Sequence, residues 1–178
     1  PSQSPVRVYV RKRPLLPPQD GTDAESSEFD VVTIVPGSGP LPTTLALHNC
    51  LFQADLKTPV IHHLSFDFDY VFHQQMQDHE VYRLSVCELV AGVREGRAST
   101  VLMFGQTGSG KTHTMTAIER LAAQDLFAGL SGRPGAFALD FVELRAGKCF
   151  DLLAPGSPEL RLREVGAGGL YAAEGAMK

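Results

Sequence analysis

The chain has 178 residues, of which 43% are hydrophobic and 20% are charged, a composition typical of a globular domain that buries one core. Its formal net charge of −4 argues against a protein that binds nucleic acid or an anionic membrane through bulk positive charge. No apolar run approaches the roughly 18 residues of a membrane span, and residues 1–5 lack the layout of a secretory signal, so we expect a cytoplasmic protein.

The first half of the chain is predicted to consist mainly of strands. Apolar and basic residues alternate from Val6 to Val10, and Pro14 would end that strand because proline cannot donate to a ladder. Residues 15–30 are rich in proline, glycine and acidic side chains, which favours a solvated loop. Further strands are predicted at residues 31–35, 45–55 and 65–72. Three aromatic residues of the last segment are expected in the core, namely Phe66, Phe68 and Phe72.

Helices alternate with strands in the second half. Apolar residues at helical spacing predict one helix over residues 80–95 and another from Met115 until Gly129. Between them, residues 100–104 form a continuous apolar run, as expected of a central strand covered on both faces. Beyond the second helix we expect a hairpin over residues 137–153 and one more strand at residues 160–164.

A glycine-rich motif between the central strand and the second helix carries the clearest chemistry. It fits the pattern GxxxxGK[ST] at every fixed position. Its residues are Gly105, Gln106, Thr107, Gly108, Ser109, Gly110, Lys111 and Thr112. Glycine amides and the helix N-terminus can wrap a triphosphate, while the lysine would hold the β and γ phosphates and the threonine hydroxyl would bind Mg²⁺. A turn that merely caps a helix would not require lysine and threonine at these offsets.

Other polar residues are weaker candidates for chemistry. Asp140 could imitate a metal-holding aspartate at a strand end, but an outward-facing residue of an edge hairpin is favoured because the strand continues through Leu144. His62 and His63 could ligate a metal, but neighbouring strand residues point to opposite sides, which favours a solvated pair. The three cysteines have no metal-ligand or disulfide spacing.

Several segments together resemble kinesin motor domains. They are residues 11–15 (Arg-Lys-Arg-Pro-Leu), 68–72 (Phe-Asp-Tyr-Val-Phe), 80–82 (Glu-Val-Tyr), 105–115 (ending in His-Thr-Met) and 139–153 (ending in Phe-Asp-Leu-Leu). The resemblance implies an α/β fold, a P-loop NTPase-type mixed sheet with helices on both faces. It also implies ATP and Mg²⁺ as ligands, microtubules or tubulin as partner and a cytoskeletal location. By the same resemblance Arg11, Arg13 and Pro14 match the positions that flank the adenine.

Within kinesins, residues 10–15, 121–127 and 160–164 most resemble the internal-motor class, which removes tubulin from microtubule ends. That class carries Lys-Val-Asp on an extended loop, and the nearest counterpart is Gln53-Ala54-Asp55. Two departures stand out: the loop that usually interrupts the helix after His-Thr-Met is missing, and Arg145 replaces a tyrosine.

The extent of the resemblance limits the expected activity. Pro1 stands where a methionine would begin a protein, and the switch motifs of the family are not in the sequence. We therefore expect residues 5–178 to be the N-terminal half of a motor domain, inactive as an ATPase by itself. The alternative is a nucleotide- or tubulin-binding module without turnover; a P-loop kinase or small GTPase would need an acceptor-binding or guanine-reading motif that the chain lacks.

Overall fold

The computed structural model describes residues 6–15, 29–37, 39, 41–128, 139–165 and 170–173. The chain divides into two compact units, Pro1–Gly129 and Leu130–Lys178. The first unit contains, in chain order, β1 (Tyr9–Arg11), β2 (Val32–Val35), β3 (Thr44–Phe52), β4 (Pro59–Asp67), β5 (Tyr70–Phe72), α1 (Asp78–Ser85), α2 (Cys87–Arg94) and α3 (Lys111–Ala128).

A short parallel pair lies at the most buried point of the first unit. Strand β1 pairs with β5 in the register Tyr9↔Tyr70 to Arg11↔Phe72. All three residues of β5 are buried, and the Phe72 ring stacks on the Tyr9 ring with 5.9 Å between centroids. The predicted first strand is therefore confirmed, but it begins at Tyr9 and not at Val6, which is exposed.

An antiparallel meander, β2–β3–β4, forms the second sheet of this unit. The predicted strand over residues 65–72 is divided in two, because β4 ends at Asp67 and β5 begins at Tyr70. The division changes the aromatic core. Phe72 is 2% exposed, as expected, whereas Phe66 is 47% exposed, so its prediction as a core residue is wrong. It lies on β4, which pairs with β3 over its whole length and not with β1.

The helices pack through one apolar cluster formed by Tyr82, Val86, Val90 and Ile118. The predicted helix over residues 80–95 is present but broken at Val86, where φ is −115°. The chain direction is kept, because the Val86 N–H still donates to the Tyr82 carbonyl and its own carbonyl accepts from Val90. The break does not follow from residue type alone, because Val81 and Val90 are also β-branched and buried yet lie inside α1 and α2.

Helix α3 follows the glycine-rich motif directly. It runs without a break over 18 residues, from Lys111 to Ala128. The expectation that the usual insertion after Met115 is missing is thus confirmed within the described residues.

The apolar run at residues 100–104 is not a strand, which corrects the prediction of a paired central strand. Val101 and Met103 contact the helical cluster, but Leu102 and Phe104 are 74% and 86% exposed. A strand is defined by hydrogen bonds to a neighbour, and none of the described strands pairs with this segment. The segment therefore packs against the helices through one face, while the side chains on its other face are exposed.

The second unit contains β6 (Val142–Arg145), β7 (Lys148–Asp151), β8 (Glu159–Leu160), β9 (Leu162–Val165) and β10 (Leu170–Ala173). The predicted hairpin is confirmed for β6 and β7, while Phe137 lies outside the described residues. Its two turn residues, Ala146 and Gly147, both have positive φ, as a type I′ turn requires. Asp140 is exposed and precedes β6, so it lies outside the hairpin strand in which it was predicted.

Parallel and antiparallel strands combine with helices in the first unit, so the predicted α/β class is confirmed. Among the described residues, no helix combines the length and the apolar character needed to cross a bilayer.

Candidate functional site

The glycine-rich loop is a compact turn that leads straight into a helix. The Ser109 N–H donates to the Gln106 carbonyl at 3.1 Å, which closes the loop, and Thr114 N–H donates to the Gly110 carbonyl at 3.1 Å. Helix α3 begins at Lys111. The first N–H groups of a helix have no partner within the helix and carry the positive end of its dipole. The loop therefore presents an anion-binding end of α3.

Three glycines allow the loop to take this shape. Gly105, Gly108 and Gly110 have φ values of 153°, 82° and 89°, a region that side chains with a Cβ rarely enter. At Gly105 space is also limiting, since an added Cβ would lie 2.5 Å from Ser109 Oγ and 3.3 Å from Lys111 Cγ. A methyl group at this position would therefore clash with the Ser109 and Lys111 side chains.

The Lys111 side chain folds back over the loop. Its Nζ donates to the Gln106 carbonyl at 2.8 Å, so the ammonium lies on the loop and not along the helix. Thr112 is exposed in the first turn of α3. Lys111 thus contacts the loop, whereas Thr112, the residue that the motif assigns to Mg²⁺, is exposed to solvent.

The residues of the N-terminal segment that were predicted to flank the adenine differ in their contacts with the glycine-rich loop. Arg13 lies beside the loop, because its Cδ is 3.8 Å from the position of a Cβ on Gly110. Pro14, the next residue after Arg13, is exposed. Whether Arg13 and Pro14 flank an adenine stays a prediction.

Arg11 is engaged by protein groups. Its Nη1 donates to Asp78 Oδ1 at 2.6 Å and to Thr114 Oγ1 at 2.9 Å, and its Nη2 donates to the Met76 carbonyl at 3.0 Å. These bonds join β1 to the first turns of α1 and α3. Neither Asp78 nor Thr114 was predicted as a site residue; the local signal for Asp78 is its place in the first turn of α1, where an acidic side chain offsets the helix dipole.

The two histidines considered as a metal pair are neighbours on β4, and their side chains lie on opposite faces of the strand. His62 and His63 are both exposed, and they alternate across the strand as expected. His63 instead faces His48 of β3. In the described part of the chain, no group of three or more His, Cys, Asp or Glu residues is placed to hold a metal ion.

A second concave region lies away from the loop. It is an open cavity of about 270 Å³ lined in part by Lys12, Asp30 and Gln74, and none of its lining residues belongs to residues 105–112. Lys12 Nζ is already paired with Asp30 Oδ2 at 2.7 Å. That ion pair also lowers the pKa of the Asp30 carboxyl.

Comparison with known proteins covers almost the whole chain. The model of the family described as Kinesin motor domain matches residues 11–176. Kinesin-like protein KIN-13A from Oryza sativa subsp. japonica is 32% identical over 166 residues, which is 90% of this chain and 19% of that protein. The chain therefore spans about a fifth of the length of this relative. Kinesin motor domains in general bind ATP with Mg²⁺ and act on microtubules. This chain belongs to the kinesin motor domain family.

Proposed function

We propose that residues 5–178 are the ATP-binding part of a microtubule-dependent motor ATPase. The observation that carries the proposal is the loop at residues 105–110, whose glycines wrap a cradle in front of the N-terminus of α3. Family membership supports microtubules or tubulin as the partner and the cytoskeleton as the location.

The residues present fit a magnesium triphosphate. Glycine amides and the first turn of α3 would hold phosphate oxygens, and Lys111 would exchange the Gln106 carbonyl for the β and γ phosphates. The Thr112 hydroxyl would ligate Mg²⁺, which neutralises charge on the phosphate oxygens when bound. Arg13 beside Gly110, together with Pro14 and Arg11, would flank the adenine. These assignments follow the family resemblance.

Binding and turnover are separate steps. Phosphoryl transfer also needs a group that senses the γ phosphate and one that orients the attacking water. The described residues of this chain offer neither at the loop. We therefore assign ATP binding to this chain and hydrolysis to the complete protein. The second candidate is a nucleotide- or tubulin-binding module without turnover.

Replacing the loop lysine tests the proposal. In Lys111→Ala we expect the affinity for a fluorescent ATP analogue with Mg²⁺ to fall by about 10- to 100-fold, because a charge-assisted hydrogen bond contributes about 1.5–3 kcal/mol. Lys148→Ala is the matched control, since that lysine forms an ion pair with Glu159 in the second unit and should leave affinity unchanged. Equal affinity of wild type and Lys111→Ala would remove the mechanism.

We further propose that the parent protein belongs to the internal-motor, microtubule-depolymerising class. The turn between β3 and β4 supports this, because it presents a carboxylate next to exposed apolar side chains. Asp55 accepts hydrogen bonds from Lys57 N and Thr58 N at 2.9 Å and from the Thr58 hydroxyl at 2.6 Å. These bonds lower its pKa to about 2, so it is charged at neutral pH. Phe52 and Leu56 beside it are 65% and 81% exposed.

The class makes a distinct prediction for the complete protein. With ATP, it should release tubulin from stabilised microtubules immobilised on glass, and Leu56→Asp should slow this release while leaving ATP binding unchanged. Release is followed as shortening of fluorescent microtubules. Directional movement of the protein along the immobilised microtubules, without shortening, would assign it to a walking class.

A further inference from the structure

A histidine pair spans the long hairpin of the first unit. His48 of β3 and His63 of β4 are directly opposite in the antiparallel register. Their Nδ1 atoms are 2.7 Å apart, and the ring planes meet at 83° with 4.9 Å between centroids. The two nitrogens thus meet at one point of the sheet surface and share one proton in a hydrogen bond, which a bound metal ion would replace. His63 is exposed, so that point is open to solvent.

The outer nitrogen of His48 has its own partner. His48 Nε2 is 2.7 Å from Thr33 Oγ1, on β2. When Nε2–H donates to that hydroxyl, the neutral ring carries its lone pair on Nδ1, where it accepts a hydrogen bond from His63 Nδ1–H. Histidines that bind metal commonly show this arrangement, in which the second ring nitrogen is held by a hydrogen bond that fixes tautomer and orientation. Thr33 supplies that bond here.

The separation of the two nitrogens is close to what a metal requires. With Zn–N bonds of about 2.0–2.1 Å and tetrahedral angles, two ligand nitrogens stand about 3.3 Å apart. The observed 2.7 Å would need to open by about 0.6 Å, and both rings would need to turn so that their nitrogens point at the metal and not at each other. Imidazole nitrogen is a preferred ligand of Zn²⁺, Cu²⁺ and Ni²⁺.

We propose that His48 and His63 bind a divalent transition-metal ion, Zn²⁺ foremost, through their two Nδ1 atoms, with water completing the coordination. The bound ion joins β3 to β4 in place of the direct contact between the rings. Because the ion binds the folded hairpin and not the extended chain, it stabilises this sheet. The site involves none of the residues assigned to ATP, so the two proposals stand independently.

Zinc titration of the full 178-residue chain, followed by isothermal calorimetry and thermal unfolding, tests the proposal. We expect His48→Gln and His63→Gln each to weaken zinc binding about tenfold or more and to abolish the zinc-dependent rise in Tm. His62→Gln is the matched control, because it removes a histidine from the next position on β4, where the side chain leaves by the other face. It should leave the affinity within about threefold of wild type.

A second control concerns Cys50, which follows His48 by two residues and lies with its Sγ 4.0 Å from the His48 carbonyl. Cys50→Ser should also keep the affinity, since the two rings suffice. Loss of binding in Cys50→Ser, or an equal loss in His62→Gln and His63→Gln, would overturn the assignment. Unchanged far-UV circular dichroism in each variant ensures that the comparison concerns binding and not folding.

Discussion

Arg11 illustrates how a single residue can carry a role that its sequence context does not reveal. Family resemblance places it beside an adenine, yet its guanidinium makes three hydrogen bonds to protein groups on α1, α3 and the segment before α1. The planar fork of arginine suits such a junction, because it has five donors in a fixed geometry. Its partners Asp78 and Thr114 are 67 and 103 residues away in sequence. No local pattern could have predicted their proximity.

Tyr82 is the residue whose loss should most disturb the helical cluster. It is buried, and its hydroxyl donates to Asp125 Oδ2 at 2.6 Å. Tyr82→Phe leaves that half-buried carboxylate with the weak contact from Cys87 Sγ at 4.0 Å in place of the hydroxyl donor, so we expect the free energy of unfolding to fall by about 1–3 kcal/mol at pH 7. Urea denaturation measures the change. Tyr70→Phe is the control, since its hydroxyl only contacts the weak acceptor Met76 Sδ at 3.5 Å and should cost less.

The same contact predicts a pH dependence at the alkaline end. Burial and the bond to Asp125 raise the pKa of Tyr82 well above its ordinary value of 10.0. A group whose pKa is raised in the folded state stabilises it fully below the unfolded pKa and loses that contribution as pH rises through the folded pKa. Wild-type stability should therefore fall above about pH 10 more steeply than that of Tyr82→Phe. Parallel slopes for the two proteins would contradict the assignment.

At the scale of elements, periodicity predicted the helices well. Tyr82, Val86 and Val90, which lie at the helical spacing that predicted this helix, are buried and pack together, whereas Val93 at the next position of the stripe is 37% exposed. The break at Val86 could not be predicted from residue type, because Val81 and Val90 are β-branched and buried inside the same helices.

Strand pairing was harder to predict than strand existence. The run at residues 100–104 indicated a strand covered on both faces, but only Val101 and Met103 pack against the helices. An apolar sequence reports what a segment can bury and not which neighbour will pair with it. Likewise, the division at Phe68 arises because β4 pairs with β3 while β5 pairs with β1. The local sequence does not indicate which strand each of these two segments pairs with.

For the candidate site, too, the local features could be predicted from the sequence and the tertiary contacts could not. The motif at residues 105–112 predicted both the loop and the helix that follows, since glycine conformation and helix initiation are local properties. The contacts around it, from Arg13 to Gly110 and from Arg11 to Thr114, are tertiary. Nucleotide binding itself stays a prediction.

For the whole molecule, exposed apolar side chains predict self-association. Leu102 and Phe104 lie side by side along an unpaired segment, and Leu139 and Leu144 of the second unit are also exposed. Contiguous apolar surface and unpaired backbone promote association. Sedimentation velocity of the purified 178-residue chain should show oligomers or aggregates at micromolar concentration.

A double variant, Leu102→Ser with Phe104→Ser, should reduce this association, because it removes apolar surface without touching the helical cluster. Leu41→Ser, at a single exposed leucine elsewhere, serves as control and should change little. A monodisperse wild-type chain that unfolds cooperatively would show that these side chains are covered in solution.

The unbroken length of α3 has a mechanical consequence. Eighteen residues of α-helix make a rod of about 27 Å, which starts at Lys111 of the glycine-rich loop. Further along this helix, Ile118 and Leu121 pack in the cluster around Tyr82, and Asp125 accepts a hydrogen bond from the Tyr82 hydroxyl. Because the helix has no break in between, a tilt of its first turn would also move the residues that pack against α1 and α2. A change at the loop would therefore be felt in the helical cluster.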